Sequence, residues 1–148
     1  MNYATELYRN LNYQAKEGSY SPYSKFRVGA ALLSTDGHVI KGANIENASY
    51  GGTICAERTA IVKAASDGMR SFTALAVTSD VPSAISPCGI CRQVIREFCD
   101  LSMPIFLVPA DYGKRLLDGK EDGVKETTLG ELLPDSFGPE HLELPRGE

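Results

Sequence analysis

Three cysteines constrain what this chain can fold into more than any other feature. Cys55 stands in Cys-Ala-Glu-Arg, and 33 residues further on Cys88 and Cys91 form Pro-Cys-Gly-Ile-Cys. A metal held by all three requires a fold that brings residue 55 against segment 88–91. Both segments read as helix starts. Helix N-termini present unpaired N–H groups and a partial positive charge, which lower thiol pKa values and favour the thiolate that zinc needs. Three thiolates at ~2.3 Å fill three tetrahedral positions and leave the fourth for water, the arrangement of a catalytic rather than a structural zinc.

The other uses of cysteine are weaker. No apolar run approaches the ~18 to 20 residues of a membrane helix, and Met1 to Gly18 lacks the basic-then-apolar layout of a signal peptide. A cytoplasmic protein is therefore expected, where a Cys-x-x-Cys pair more often binds metal or does redox chemistry than forms a structural disulfide. A thioredoxin-like pair follows directly on a strand, whereas here Pro87 precedes the pair and Cys55 has its own acidic companion, Glu57. Apolar residues make up 43% and charged residues 23% of 148, which points to one globular domain over residues 1–148. The net charge of -4, with Lys and Arg scattered, argues against a phosphate-backbone footprint and so against nucleic acid.

Along the chain, Leu7, Leu11 and Ala15 recur at helical spacing over Thr5 to Gly18. Val28–Leu33 and Val39–Ile45 read as two antiparallel strands joined across Asp36-Gly37, a pair suited to the positive φ angles of a tight hairpin. Cys55–Ala65 reads as a helix closed by Asp67-Gly68, and Thr73–Ser79 as a buried strand. Gly89–Cys99 places Ile90, Val94, Ile95 and Phe98 on one helical face, with Cys99 beside them as a packed thiol. Ile105–Val108 is a short strand between two prolines, and helix alternating with strand implies parallel pairing. A polar loop after Asp111, a fifth strand near Val124–Thr127, a short helix over Thr128–Leu133 and a Pro/Gly-rich tail complete the chain.

Zn²⁺ with three thiolates carries a net -1 charge, which weakens it as a Lewis acid unless positive charge stands near. Arg58 is placed to supply it. Arg92, next to Cys91, reads either as a second such charge or as an exposed helix arginine. Glu57, two positions from a ligand, can reach a metal-activated water without coordinating, as a proton shuttle must. On its own it reads as an acid in a first helical turn.

Cys-Ala-Glu-Arg followed by Pro-Cys-x-x-Cys resembles the zinc-deaminase signature. The whole chain, from its first helix through Ser136-Phe137-Gly138-Pro139-Glu140, resembles the small homotetrameric cytidine deaminases. Pro22–Leu32 (PYSKFRVGAAL) and Asn44-Ile45-Glu46-Asn47-Ala48 carry the likeness. It implies a three-layer α/β/α fold with a five-stranded mixed sheet. It further implies one Zn²⁺ per chain on Cys55, Cys88 and Cys91, and deamination of cytidine and 2'-deoxycytidine by a zinc-bound hydroxide, with Glu57 carrying protons. By the same resemblance Asn44 and Glu46 hold the ribose 3'-hydroxyl, Phe26 lies against the pyrimidine, the backbone of Ala56 reads the ring carbonyl and that of Ser86 meets the departing amino group. Tyr50 and Phe137 match residues that reach into a neighbouring subunit's site, so the C-terminal segment should dock, while residues 143–148 fit nothing in the family. Without the resemblance, Phe26 is equally a core aromatic, and Asn44 with Glu46 a strand-end turn.

Blasticidin S deaminase shares the zinc chemistry but lacks the Phe-x-Val-Gly-Ala and Asn-x-Glu-Asn segments. A nucleic-acid editing deaminase would want a basic channel with aromatics, which this acidic chain does not offer. A non-catalytic zinc-stabilised module would need a fourth ligand.

Overall fold

The computed structural model describes Leu7 and residues 15–147. The helix expected over Thr5 to Gly18 lies mostly outside the described residues. Within them, Leu7 and Ala15 are buried and Lys16–Gly18 forms one 3-10 turn.

Five strands form one sheet: β1 (Gly29–Ser34), β2 (Val39–Ala43), β3 (Phe72–Thr78), β4 (Pro104–Val108) and β5 (Lys125–Thr128), in the order β2-β1-β3-β4-β5. β1 is antiparallel to both β2 and β3, β3 runs parallel to β4, and β4 is antiparallel to β5. Among the described residues, five α-helices accompany them: α1 (Ala56–Ser66), α2 (Gly89–Phe98), α3 (Tyr112–Leu117), α4 (Leu129–Leu132) and α5 (Pro139–Leu142). The sheet is thus the mixed five-stranded one expected, and its parallel pair is the one whose connection contains α2, since parallel strands need a crossover.

Every residue of β1 is buried, because side chains alternate between two covered faces. Ala30 and Leu32 join Leu75, Val77, Ile105 and Leu107 in one core, closed by Ala60, Ile61 and Ala64 of α1 and Ile95 of α2. Ala31 and Leu33 join Ala74, Ala76 and Val108 in a second core on the opposite face, closed by Leu7 and by Tyr112 of α3. Layers on both sides of the sheet follow directly from these two alternating sets.

Two local expectations need correction. In the β1–β2 turn only Gly37 adopts a positive φ (93°); Asp36 does not, because a four-residue loop (35–38), closed by hydrogen bonds between Ser34 and His38, replaces the two-residue turn. Ile90 is 64% exposed rather than on the buried face of α2. That face runs through Cys91 and Ile95, one helical turn apart, and Ile90 is rotated about 100° away from it.

The position of α1 depends on Gly42 in β2. A Cβ there would meet the Ala56 carbonyl oxygen and stand 2.5 Å from the Ala60 nitrogen, so the helix backbone lies directly on the strand. Gly42→Ala should therefore cost about 2 to 3 kcal/mol by overpacking. It should also lower zinc retention by displacing Cys55, as checked by thermal melts alongside metal analysis.

Candidate metal centre and active site

Helix geometry delivers all three sulfurs. Cys55 is the N-cap of α1 and Cys88 the N-cap of α2, both with extended backbone, while Cys91 lies one turn inside α2. All three Sγ atoms lie within 4.8 Å of one another, and Cys55 and Cys88 are 3.9 Å apart. A regular tetrahedron with Zn–S distances of ~2.3 Å places its sulfurs roughly 3.8 Å apart, which the Cys55–Cys88 separation matches, so the cluster is of the size that zinc requires. The sulfurs are free, not disulfide-bonded. Among the described residues no fourth His, Cys, Asp or Glu completes the cluster, which leaves the open position of a catalytic site. Cys99 is buried in the sheet–helix core, where burial pushes its thiol up to about 12.

Charge at the centre is organised by Arg58, whose Nη2 donates to Cys55 Sγ at 3.2 Å. The Cys55 thiol is lowered to about 5, first by a hydrogen bond with Cys91 and, against the opposing effect of burial, by the Arg58 guanidinium. Cys91 shifts upward through the same hydrogen bond, through burial and through the nearby Glu57 charge. A dication among the sulfurs would favour the ionised form of each. Burial works against the Arg58 charge, but its bonds to Cys55 and Cys91 outweigh this and raise its pKa. Its Nε is buried with no hydrogen-bond partner among the described residues, a cost compensated by thiolate charge at the other end of the fork.

Glu57 is only 5% exposed, and its Oε2 accepts from the Cys91 thiol at 3.8 Å. Burial is the main cause of its raised pKa, the direction expected of a carboxyl that exchanges protons near neutrality. Glu57 lines a cavity of about 190 Å³ with Val28, Asn44, Cys55, Ala56, Val77, Ile85, Ser86 and Cys88. Four residues singled out from sequence, Asn44, Ala56, Glu57 and Ser86, therefore meet beside two of the sulfurs. Val28, Val77 and Ile85 also line it and went unnoticed in the sequence, where they look like ordinary strand and loop apolar residues.

A second hollow of about 330 Å³ is lined by Tyr23, Ser24, Glu46, Tyr50 and Thr53. Glu46 Oε1 accepts the Tyr23 and Ser24 N–H groups at 3.1 and 3.0 Å, and Oε2 accepts the Ser24 hydroxyl. These bonds, the Ser24 hydroxyl first, hold its carboxyl below the usual range. Asn44 Oδ1 accepts the Val28 N–H at 2.9 Å and the Ser19 hydroxyl, while its Nδ2 donates to the Phe26 carbonyl at 2.8 Å. The strand-end-turn and binding readings of these residues are thus compatible, because both side chains brace the segment that carries Phe26.

Phe26 is half-buried and lines neither cavity. Two other predicted contacts point outward from the chain. Tyr50 is 76% exposed, edge-on to Tyr23 with ring centroids 5.9 Å apart, and Phe137 is 64% exposed. The segment bearing Phe137 is nonetheless docked: Gln93 Nε2 donates to the Phe137 carbonyl at 3.1 Å, and Arg96 binds Ser136 Oγ at 3.1 Å and pairs with Glu140. Arg92 makes no bond to sulfur; it ties the Ser86–Pro87 loop to the end of α4.

The family described as "Cytidine and deoxycytidylate deaminase zinc-binding region" matches residues 2–106. A cytidine deaminase of Sporosarcina psychrophila is 52% identical over 129 residues, 87% of this chain and 88% of that protein. One from Mycobacterium tuberculosis is 42% identical over 129 residues, 87% of this chain and 86% of its own. The crystal structure of cytidine deaminase from Burkholderia pseudomallei superposes with a TM-score of 0.77 at 40% identity, covering 93% of this chain and all (100%) of that one.

Cys88→Ala should reduce bound zinc well below one per chain while Cys99→Ala leaves it unchanged, as read by elemental analysis. In metal-free protein Arg58→Gln should raise the Cys55 pKa, so that thiol alkylation near about pH 6 slows, since the thiolate is the reactive form.

Proposed function

This chain belongs to the cytidine deaminase family, and on that premise we propose that it converts cytidine and 2'-deoxycytidine to the corresponding uridines and ammonia, in pyrimidine salvage. The observation that carries this reading is a cluster of three cysteine sulfurs, two of which, Cys55 and Cys88, line one cavity of about 190 Å³ together with the buried Glu57 carboxyl. Zinc bound there supplies Lewis acidity and lowers the pKa of a coordinated water. The chain's own residues do the rest. Glu57 takes a proton from the attacking water and delivers it to ring N3. The water oxygen bonds to C4, Glu57 then takes the second proton from the new C4 hydroxyl and passes it to the amino nitrogen, and the C4–N bond breaks, so that one water is consumed and one ammonia released. Ala56, at the first turn of α1, offers its backbone to the ring carbonyl, and the Ser86 carbonyl accepts from the amino group. Arg58 offsets the charge of the three thiolates.

The sugar is placed at the end of β2. After its bonds to Val28, Ser19 and Phe26, Asn44 retains one N–H, and Glu46 retains acceptor capacity on a carboxylate that offers about four lone pairs. One donor beside one acceptor suits a hydroxyl. Phe26 lines neither cavity, and its role as an aromatic wall for the base rests on the family resemblance alone. Tyr50 and Phe137 are large exposed rings on anchored segments, which supports a homotetramer in which each completes a neighbour's site. No helix among the described residues is long and apolar enough to cross a membrane, in keeping with a cytoplasmic location.

Purified protein should contain one zinc per chain and turn over both nucleosides, followed by ultraviolet absorbance; zinc retention without turnover of either sinks the assignment. Glu57→Gln should keep the zinc and lose several orders of magnitude in kcat, and near-normal activity would refute the shuttle. Mixing inactive Phe137→Ala with inactive Glu57→Gln chains should restore part of the activity if the sites are shared.

A further inference from the structure

The loop that follows β3 delivers Ser86, Pro87 and Cys88 to the site without regular secondary structure of its own. Something must fix it, because a 1 Å misplacement of a group near the reacting atoms can cost on the order of 10²-fold in rate. We propose that Arg92 is the positioning residue that sets the direction of the Ser86 carbonyl toward the amino group, and with it the seat of Cys88. The inference rests on the reading of Ser86 given above.

Three nitrogens of one guanidinium carry the clamp. Nη2 donates to Ser86 Oγ at 2.7 Å, Nε to the Pro87 carbonyl at 2.7 Å and Nη1 to the Leu132 carbonyl at 2.6 Å. The first two bonds return from α2 to the residues just before its N-cap Cys88, closing the loop on itself. The third ties that closure to a fixed point. Leu132 ends α4, so its carbonyl has no partner within the helix and suits a cation. α4 is itself anchored by fully buried Leu129 and by the Gly130 N–H donating to the Leu101 carbonyl at 2.8 Å. Pro87 is also fully buried. With its side chain packed and its carbonyl and the preceding hydroxyl both captured, the intervening peptide has little freedom to rotate. Lysine cannot replace this fork, since an ammonium is a point donor while the planar guanidinium reaches three acceptors in fixed directions.

The test uses Glu57→Gln protein, whose turnover should be slow enough for cytidine binding to be measured. Calorimetric Kd values for cytidine and uridine should favour cytidine, because a carbonyl at that position accepts from an amino group and repels the uridine carbonyl. Adding Arg92→Ala should shrink this preference about tenfold, mainly by weakening cytidine, with uridine affinity and one zinc per chain retained. Arg92→Lys should fall between, and serves if the alanine variant folds poorly. In active protein Arg92→Ala should lower kcat about 10- to 100-fold with a much smaller change in KM. A cytidine preference that survives both substitutions, or an unchanged kcat, overturns the inference alone. Equal affinity of Glu57→Gln for the two ligands sinks the Ser86 reading and the inference with it. Parallel loss of zinc, uridine binding and thermal stability in both variants overturns it in favour of a purely structural role.

Discussion

The convergence of two helix N-termini on three sulfurs is the constraint on which the rest of the structure depends. α1 and α2 pack side by side on one face of the sheet, and their first turns supply Cys55 and Glu57 on one side, Cys88 and Cys91 on the other. For these ends to meet, α1 must lie directly on β2, which the absence of a side chain at Gly42 allows. α2 must emerge beside β3, which the crossover between parallel β3 and β4 provides. The small residues Ala56, Ala60 and Ala64 along α1 belong to the same requirement, since larger side chains would lift the helix and its cysteine from the sheet.

Gathering three thiolates creates an electrostatic problem that the surroundings resolve locally. A hydrogen bond with Cys91 and the Arg58 guanidinium act on Cys55, and its thiol is lowered well below the ordinary value in consequence, against the opposing effect of burial. Burial first, and then the Cys55 charge, moves Glu57 the other way. One cluster thus holds a thiol inclined to ionise and a carboxyl inclined to keep its proton. These are the opposite tendencies that metal binding and proton transfer require.

Polar side chains outside the cluster hold the loops that surround it. Arg27 and Lys16 both bind Asp80 just after β3, and Asn44 and Glu46 brace segment 19–28. Arg92, Gln93 and Arg96, on the polar side of α2, hold the Ser86 loop and the Phe137 segment. The helix that contributes a metal ligand therefore also positions the two least regular stretches of the site, so that displacement of one is felt by the others.

Cysteine spacing already pointed to a metal centre, and the family resemblance to deamination. Cys55, Glu57, Cys88 and Cys91 were legible because zinc restricts which residue types can serve and helix starts restrict where they occur. The sheet was legible because Val28–Leu33, Thr73–Ser79 and Ile105–Val108 are short apolar runs bounded by turn residues, as strands covered on both faces must be. Only the tertiary structure decided what depends on packing between distant segments. Ile90 lost its place in the core because the buried stripe of α2 follows Cys91 and Ile95, a choice set by the metal and the sheet together rather than by hydrophobic spacing. The short α3 was missed within a polar loop because it is held by Tyr112 packing on the far core. Arg92 read as either a charge for zinc or an idle arginine, and proved to be a loop clamp. Its partners Ser86 and Leu132 are 6 and 40 residues away, and no local pattern records a hydrogen bond formed only once the chain has closed on itself.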